Sequence, residues 1–339
     1  MNHQSYWSSM AFVRNVLMAV VRKGADLKLL CAELGVLPEQ LEQTDAKANL
    51  EQCVKVWEVA VRHTGDAFLG LHLGEASSPA LAGMVGYLME SSPDLQTAFQ
   101  NVQQFNKLIT NATEFSLDIR GEEFCYYIEP VHAWRLLSED AARHLVEHSI
   151  SGSIHIAKML TGKTIYPVRV LLRTARPKDT QEYLRVLKCE PLFDQAQNCI
   201  VYRLRDMQLP VIGHNPVLNR FFKALLEQEI AKIHQQESFS QEVRRAILQR
   251  FDQSLPQLAD IVEYLHVSPR TLQRKLQEEG TSFQQIFDAV KLELATGMLQ
   301  NPTLTVNEIA YKLGYAEPSV FRRAFKKWTG TSPKEYTKS

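Results

Sequence analysis

The sequence predicts an α+β domain, in which a small sheet is flanked by helices, followed by an all-α domain of two helix-turn-helix subdomains joined by a linker helix. Three observations carry this. Over the first two-thirds of the chain the apolar period switches from the 3.6 of a helix to the 2 of a strand and back. In the last third one short pattern occurs twice, beginning at Ile261 and again at Ile309. A length of 339 residues calls for two or three domains. The expected boundaries are 1–209 for the first domain, 210–240 for a connecting helix and linker, and 241–339 for the second domain.

The elements follow in order. Ser8 to Lys23 and Leu27 to Leu34 read as helices, the second stopped near Gly35 and Pro38. Cys53 to His63 is amphipathic around Trp57 and ends at Gly65, and Ser92-Pro93-Asp94 opens a helix through Ile109. Phe115, Leu117 and Ile119 then alternate, Arg120-Gly121-Glu122 turns, and Phe124, Tyr126 and Ile128 alternate again, which is a hairpin. A helix from Ser138 to Leu160, a strand from Val168 to Leu172, a helix from Pro177 to Leu187 and a strand from Cys199 to Tyr202 complete the region. Helices flanking a small sheet commonly enclose a pocket, and the aromatic residues between Phe124 and Trp134 are placed to line one. Asn215-Pro216 starts a helix through about His234, with Leu218, Phe222, Leu225, Leu226, Ile230 and Ile233 on one side. Two roles stay open for it: packing between domains, or acting as a dimer or relay helix. The polar run Gln235 to Ser240 is the expected flexible link.

The duplicated pattern reads each time as a short amphipathic helix, a tight turn and a second helix rich in Arg and Lys. In a helix-turn-helix that second helix lies in the major groove of DNA. In the first copy Ser268 is a good N-cap and Pro269 suits the first helical position. Leu272 and Leu276 face inward, while Arg270, Gln273, Arg274 and Gln277 face outward beside Thr271. Arg pairs two-fold with guanine and Gln with adenine. In the second copy Gly314 supplies the turn. Phe321, Ala324, Phe325 and Trp328 form an apolar stripe, and Ser319, Arg322, Arg323, Lys326 and Lys327 occupy the opposite side. Four cations on one face repel one another unless an anion answers them, and the duplication favours that over an ordinary solvated face. Lys275, Lys326 and Lys327 suit phosphates, whereas the arginines and glutamines suit base edges. Between the copies Gln284 to Gln300 reads as one helix, ending before Asn301-Pro302 and about 25 Å long. A rod of that length can hold two recognition helices about one DNA turn apart, ~34 Å.

Net charge is zero but unevenly placed: from Gln241 onward 14 Lys and Arg stand against 11 Asp and Glu. The small excess agrees with a DNA-facing second domain behind a mildly acidic first one. Five widely spaced cysteines (Cys31, Cys53, Cys125, Cys189 and Cys199) contain no C-x-x-C and read as reduced, mostly buried thiols. His144 and His148 lie one helical turn apart with His155 further along, but nothing nearby completes a metal set and Glu147 lies off their face. No phosphate-binding glycine loop, dinucleotide fingerprint or nucleophile elbow is present. The expectation is therefore no enzyme, no cofactor and no metal. No apolar run approaches the ~20 residues of a membrane span, and the polar N-terminus lacks a signal pattern, so a cytoplasmic protein without membrane contact is expected.

At this point a resemblance adds to the reading. Ile309-Ala310, Leu313-Gly314-Tyr315, Ser319, Phe321, Ala324-Phe325-Lys326, Gly330, Ser332-Pro333 and Tyr336 resemble the DNA-binding domain of the AraC/XylS family of bacterial transcription regulators over about Glu242 to Tyr336. The chain departs from the family at Ala316-Glu317, where a Ser-Asp pair is common. Leu37-Pro38, Trp57, Gly65-Asp66, Leu69-Gly70-Leu71, Gly86-Tyr87 and Ser91-Ser92-Pro93 more loosely resemble the arabinose-binding-like effector domain of one branch. The resemblance implies that Arg270 to Gln277 and Ser319 to Lys327, with Ser268, meet promoter DNA. It also implies an activator that works with RNA polymerase and senses an amino acid, a fatty acid or another metabolite. For the effector Trp134, Arg135 and His148 are candidates, with Arg143 also placed to bind an anion. A homodimer is a further expectation. Two other classes share parts of the pattern: an architectural DNA-binding protein without effector, and a DNA-repair methyltransferase regulator, which needs clustered cysteines near the N-terminus.

Overall fold

The computed structural model describes residues 6–43, 46–236, 238–250, 255–299 and 304–336. The chain begins with β1 (Trp7–Ser9), α1 (Met10–Arg22), α2 (Leu27–Leu34), β2 (Lys47–Asn49), α3 (Leu50–Thr64), α4 (Leu69–Gly74), α5 (Met84–Glu90) and α6 (Leu95–Phe105). It continues through β3 (Thr113–Arg120), β4 (Glu123–Pro130), α7 (His132–Leu137), α8 (Glu139–Thr161), β5 (Arg169–Leu171), α9 (Gln181–Leu187), β6 (Cys199–Arg203), α10 (Leu204–Met207) and α11 (Pro216–Gln236). The remainder is helical: α12 (Phe239–Gln249), α13 (Leu258–Tyr264), α14 (Pro269–Glu278), α15 (Phe283–Leu299), α16 (Val306–Lys312), α17 (Pro318–Thr329) and α18 (Pro333–Tyr336). Two compact units result. One comprises 1–130 and 140–232, the other 131–139 and 233–339.

In the first unit the predicted hairpin forms with Arg120 paired to Glu123 across Gly121, whose φ of +60° the two-residue turn requires. The sheet is antiparallel in the order β3-β4-β6-β5. Period-2 alternation sends Phe124, Tyr126, Ile128, Ile200 and Tyr202 to a face covered by apolar residues of α5, α6, α8 and α9. Phe99 of α6 meets Tyr126 edge-on at 5.2 Å. Cys125, Cys199 and Val201 form a smaller apolar cluster with Tyr127, Val168 and Leu171. Helix boundaries follow local chemistry. Asp26 and Asp94 cap α2 and α6, Asn49 and Gln52 form a capping box on α3, and Gly35 and Gly65 end α2 and α3.

Several elements differ from expectation. The first helix starts at Met10 because Trp7–Ser9 pairs with Lys47–Asn49 as a short two-stranded sheet. Helix α9 starts at Gln181 rather than Pro177, since the Asp179 carboxylate accepts from the Gln181 N–H and holds the preceding residues in a turn. The expected flexible link is largely helical. Helix α11 continues through Gln236, and α12 begins at Phe239 behind a Ser238–Gln241 capping box; Glu237, within that stretch, lies outside the described residues. Asn301-Pro302, the expected stop of the linker helix, also lies outside them.

In the second unit α15 is the spine. Ile286, Val290, Leu294, Ala295, Met298 and Leu299 are buried along it, and α7, α12, α14, α16 and α17 pack against it. The carboxylate of Glu279 accepts from the Phe239 and Ser240 N–H groups, which fixes the start of α12 beside the end of α14.

Helices α4 and α8 approach unusually closely. A Cβ on Gly74 would stand 1.7 Å from Ser151 Oγ and 2.6 Å from the His148 carbonyl oxygen. A Cβ on Gly70 would stand 2.3 Å from the carbonyl of His144, one turn earlier. Replacing Gly74 by Ala must push two backbones apart and should lower unfolding stability by about 1–3 kcal/mol. A denaturant midpoint equal to that of the wild type would show that this crossing has slack.

Candidate nucleic-acid interface

The two helix-turn-helix units repeat one backbone solution. After α13 the Val267 N–H donates to the Val262 carbonyl, and after α16 the Tyr315 N–H donates to that of Ala310, each at 3.0 Å. The residue between helix and turn has positive φ in both, +51° at His266 and +74° at Gly314. Glycine holds that conformation without strain, whereas His266 holds it against a steric cost. In the first unit Ser268 Oγ accepts from the Thr271 N–H at 3.1 Å and Pro269 takes the first helical position. Leu272 and Leu276 are buried, while Arg270, Gln273, Arg274 and Gln277 are exposed. Arg274 is paired with Glu278 at 2.7 Å. Lys275 is half-buried with its ammonium 4.6 Å from the centre of the Phe239 ring.

The second unit is entered differently. Glu317 holds the N-cap position of α17 and makes no side-chain cap, so the Ala316-Glu317 departure leaves this helix start without the bond Ser268 supplies in the other copy. Glu317 instead accepts from Ser319 Oγ. Phe321 and Phe325 are fully buried and Ala324 and Trp328 partly so. Phe321 contacts Tyr315 at 5.5 Å, Phe325 contacts Tyr336 at 5.5 Å, and Lys291 of α15 lies 4.5 Å from the Tyr315 ring centre. With this side anchored, Arg322, Arg323, Lys326 and Lys327 are left exposed. Arg322 donates to Asn307 Oδ1 of α16 at 2.8 Å, a contact that spacing alone gave no reason to expect. The two second helices thus present side chains able to form paired hydrogen bonds with bases and charged ones with phosphates.

The other candidates lie elsewhere. Trp134 and Arg135 belong to α7, where Trp134 is buried and Arg135 faces His132. His148 belongs to the first unit, so neither unit gathers the three into one site. His144 and His148 are buried in a polar seam of α8. Arg143 Nη2 donates to His144 Nε2 at 3.1 Å and the Gly70 N–H donates to His144 Nδ1 at 3.3 Å, with Glu147 Oε2 3.5 Å from that same nitrogen. Glu147, expected off the histidine face, is itself buried there and also receives Arg143 and the Tyr183 hydroxyl. His148 bonds with Ser77 Oγ at 3.1 Å, and burial pushes its pKa down to about 4, so the ring is neutral. Trp57 stacks on His144 and meets His148 edge-on, and its buried Nε1 has no hydrogen-bond partner among the described residues. Sequence reasoning missed His72, whose ring nitrogens lie 2.7 Å from Asp66 and 2.6 Å from Glu182. Two carboxylate acceptors require two N–H donors, hence an imidazolium. Its partner Glu182 is 110 residues away, so no local pattern announces it.

Both folded units correspond to known sequence families. Residues 24–211 match the arabinose-binding domain of AraC transcription regulators, and residues 261–339 match a helix-turn-helix domain. The chain belongs to the AraC family of DNA-binding transcription regulators. It is 29% identical over 329 residues to the ornithine utilization regulator of Pseudomonas aeruginosa, covering 96% of this chain and 95% of that one. It is 35% identical over 118 residues to the regulator VqsM of the same organism, covering 35% of this chain and 34% of that one. The crystal structure of the regulator CdpR, also from Pseudomonas aeruginosa, matches at a TM-score of 0.45 and 20% identity, covering 92% of this chain and 96% of that one. The cysteine environments oppose the methyltransferase alternative. Burial raises the pKa of Cys31 and pushes that of Cys53 up to about 12, away from a reactive thiolate.

The two perturbed histidines impose opposite pH dependences on the first unit. His148 has a folded pKa below the ~6.5 of an unfolded His. The unfolded chain therefore binds the extra proton between pH 6.5 and about 4. Its contribution is complete above ~6.5 and is lost as pH falls, on the order of 3 kcal/mol in all. For His72 burial opposes the charge, but the hydrogen bonds to Asp66 and Glu182 outweigh it and raise the pKa. That contribution is present below ~6.5 and is lost as pH rises through the folded value. Denaturant midpoints of wild type and His148→Gln, followed from pH 7 down to 4.5, should converge as the pH falls; parallel curves would show that His148 is not held neutral.

Proposed function

We propose that this regulator is an activator controlled by a small-molecule effector, with residues 1–209 sensing the effector and residues 241–339 reading the promoter. The observation that supports this most is the pair of exposed, cation-bearing second helices packed on the single spine α15. In this reading Arg270, Gln273, Arg274, Gln277, Arg322 and Arg323 meet base edges. Ser268, Thr271, Ser319, Lys326 and Lys327 meet phosphates and set the register. Lys275 keeps its stem and ammonium against Phe239 and reaches the backbone only at the edge of the interface. RNA polymerase is the partner through which bound protein raises transcription.

The near full-length similarity to an ornithine utilization regulator supports an amino acid as the effector class. The unpartnered Trp57 indole N–H beside His148 supports placing an acceptor group of that effector there. Effector binding changes promoter affinity by the difference in its own affinity for the two states, typically ~1–3 kcal/mol.

The test is a footprint of the purified protein on its own upstream DNA at physiological salt, with ornithine and other amino acids added in turn. Protection of two major-groove segments about one turn apart is expected, strengthened or extended by the correct effector. Salt-sensitive binding without sequence preference, unchanged by any amino acid, would instead support an architectural protein. Arg274→Ala and Arg322→Ala should each cost ~1–3 kcal/mol on the protected site. An equal loss on random DNA would reassign the residue to backbone contact. Trp57→Phe, which keeps the stacked ring and removes the donor, should abolish the effector response while basal DNA binding persists; an unaltered response would move the effector away from Trp57.

A further inference from the structure

Asn307 does nothing for its own helix. Helix α16 starts at a capping box, in which Thr305 Oγ1 accepts from the Glu308 N–H at 3.3 Å and Glu308 Oε2 accepts from the Thr305 N–H at 2.7 Å. With that box complete, the asparagine inside the first turn caps nothing, and Asn is a weak helix former away from a cap. Its side chain is exposed and reaches the next helix instead, where Oδ1 accepts from Arg322 Nη2 at 2.8 Å. Arginine only donates, so the amide must turn its oxygen toward it. Ile309, Ala310 and Leu313 on one side and Phe321 on the other are buried, so both ends of the bond stand on anchored backbone.

Other exposed arginines of the second helices are held otherwise. Arg274 is bound to Glu278 of its own helix, a carboxylate that offsets its charge and competes with a base for its donors. Arg323, one position on from Arg322 and also exposed, has no hydrogen bond or ion pair among the described residues. Arg322 is oriented by a neutral acceptor. The bond occupies one of the five N–H groups of a guanidinium and leaves its positive charge whole. Guanine offers O6 and N7 on its major-groove edge, and a guanidinium lying in the right plane meets them with two parallel bonds. A side chain ordered beforehand loses less freedom on binding than one that the base itself must fix.

We propose that Asn307 is a positioning residue for base recognition: it holds the Arg322 guanidinium in the plane that reads a guanine, so a residue of the first helix sets specificity through the second. This rests on the reading of Arg322 as a base contact. Asn307 sharpens discrimination at one base pair and, being uncharged, leaves the charge-driven part of binding as it is.

Sites selected by the full chain from a randomised duplex pool give the base preferences, and titrations on a selected site and on random DNA give the affinities. Arg322→Ala should erase a preference for guanine at one position. Asn307→Ala should weaken the preference at that same position about three- to tenfold, with affinity for random DNA, its salt dependence and the melting profile unchanged. Asn307→Asp, which keeps an acceptor in the same place, should restore the preference. With Arg322→Ala already present, Asn307→Ala should change nothing further. If Arg322→Ala leaves every base preference intact, the reading of Arg322 fails and takes the proposal with it. If Arg322→Ala erases the preference and Asn307→Ala leaves it, the proposal alone is overturned. Weaker binding to random DNA after Asn307→Ala, or losses that add in the double variant, would make Asn307 a backbone contact in its own right and equally overturn it.

Discussion

Helix α8 is buried on more than one side while carrying histidine, glutamate and serine inside, and the first unit is arranged around satisfying them. Unpaired, a buried Glu147 alone would cost several kcal/mol. It is answered by Arg143 and by the Tyr183 hydroxyl. Tyr183 brings α9 to the seam, Ser77 follows α4 to it, and Trp57 brings α3. The glycines of α4 exist in the same context. Only a helix without side chains at positions 70 and 74 comes close enough for Ser151 Oγ to donate to the Leu71 carbonyl at 2.7 Å. Sheet packing on the other side of α8 is hydrophobic burial joined by one buried hydrogen bond between Ser153 and Tyr202 at 2.8 Å. The polar seam is what specifies which helices lie beside it.

The second unit solves a different problem, holding two short helix pairs that could not fold alone. Helices of seven residues such as α13 and α16 are too short to be stable in isolation. Each gains stability from a buried Ile (Ile261 or Ile309), and the units share α15 as a common apolar wall. Anchoring one side of α14 and α17 leaves the other free for cations that nothing in the unit fully neutralises. That division of labour within a single helix links the core of this domain to DNA binding.

Much of this was legible in the chain. The hairpin was announced by strict alternation around Arg120-Gly121-Glu122, the first of the second helices by Pro269 at its first position, and both by apolar residues three to four apart. The linker helix was announced by an uninterrupted 3.6 period. Four kinds of feature were not. Three-residue strands such as β1 and β2 are shorter than any periodic signal. Helices α4, α5 and α7 are too brief, and α4 too glycine-rich, for propensity to report. The start of α12 reads as a polar linker because its cap, Ser238, and its neighbour Ser240 are loop formers by composition. The polar seam of α8 was not legible because burial of His148 or Glu147 depends on partners far away in sequence, Ser77 and Tyr183. At the DNA face the residue types were readable, whereas the tie from Arg322 to Asn307 required the angle between α16 and α17.

The two helix-turn-helix copies are alike in backbone and unlike in chemistry. The first carries glutamines, a capped start and an arginine tied to Glu278; the second carries four exposed cations and an uncapped start behind Glu317. A reader built from two identical halves related by a two-fold axis would fit a duplex equally well in either direction. This one has a head and a tail within a single chain, so a promoter site that suits it in one orientation is a different and poorer site when inverted. In the proposed reading, direction along the DNA is written into the differences between Ser268 and Glu317, and between Gln273 and Arg322.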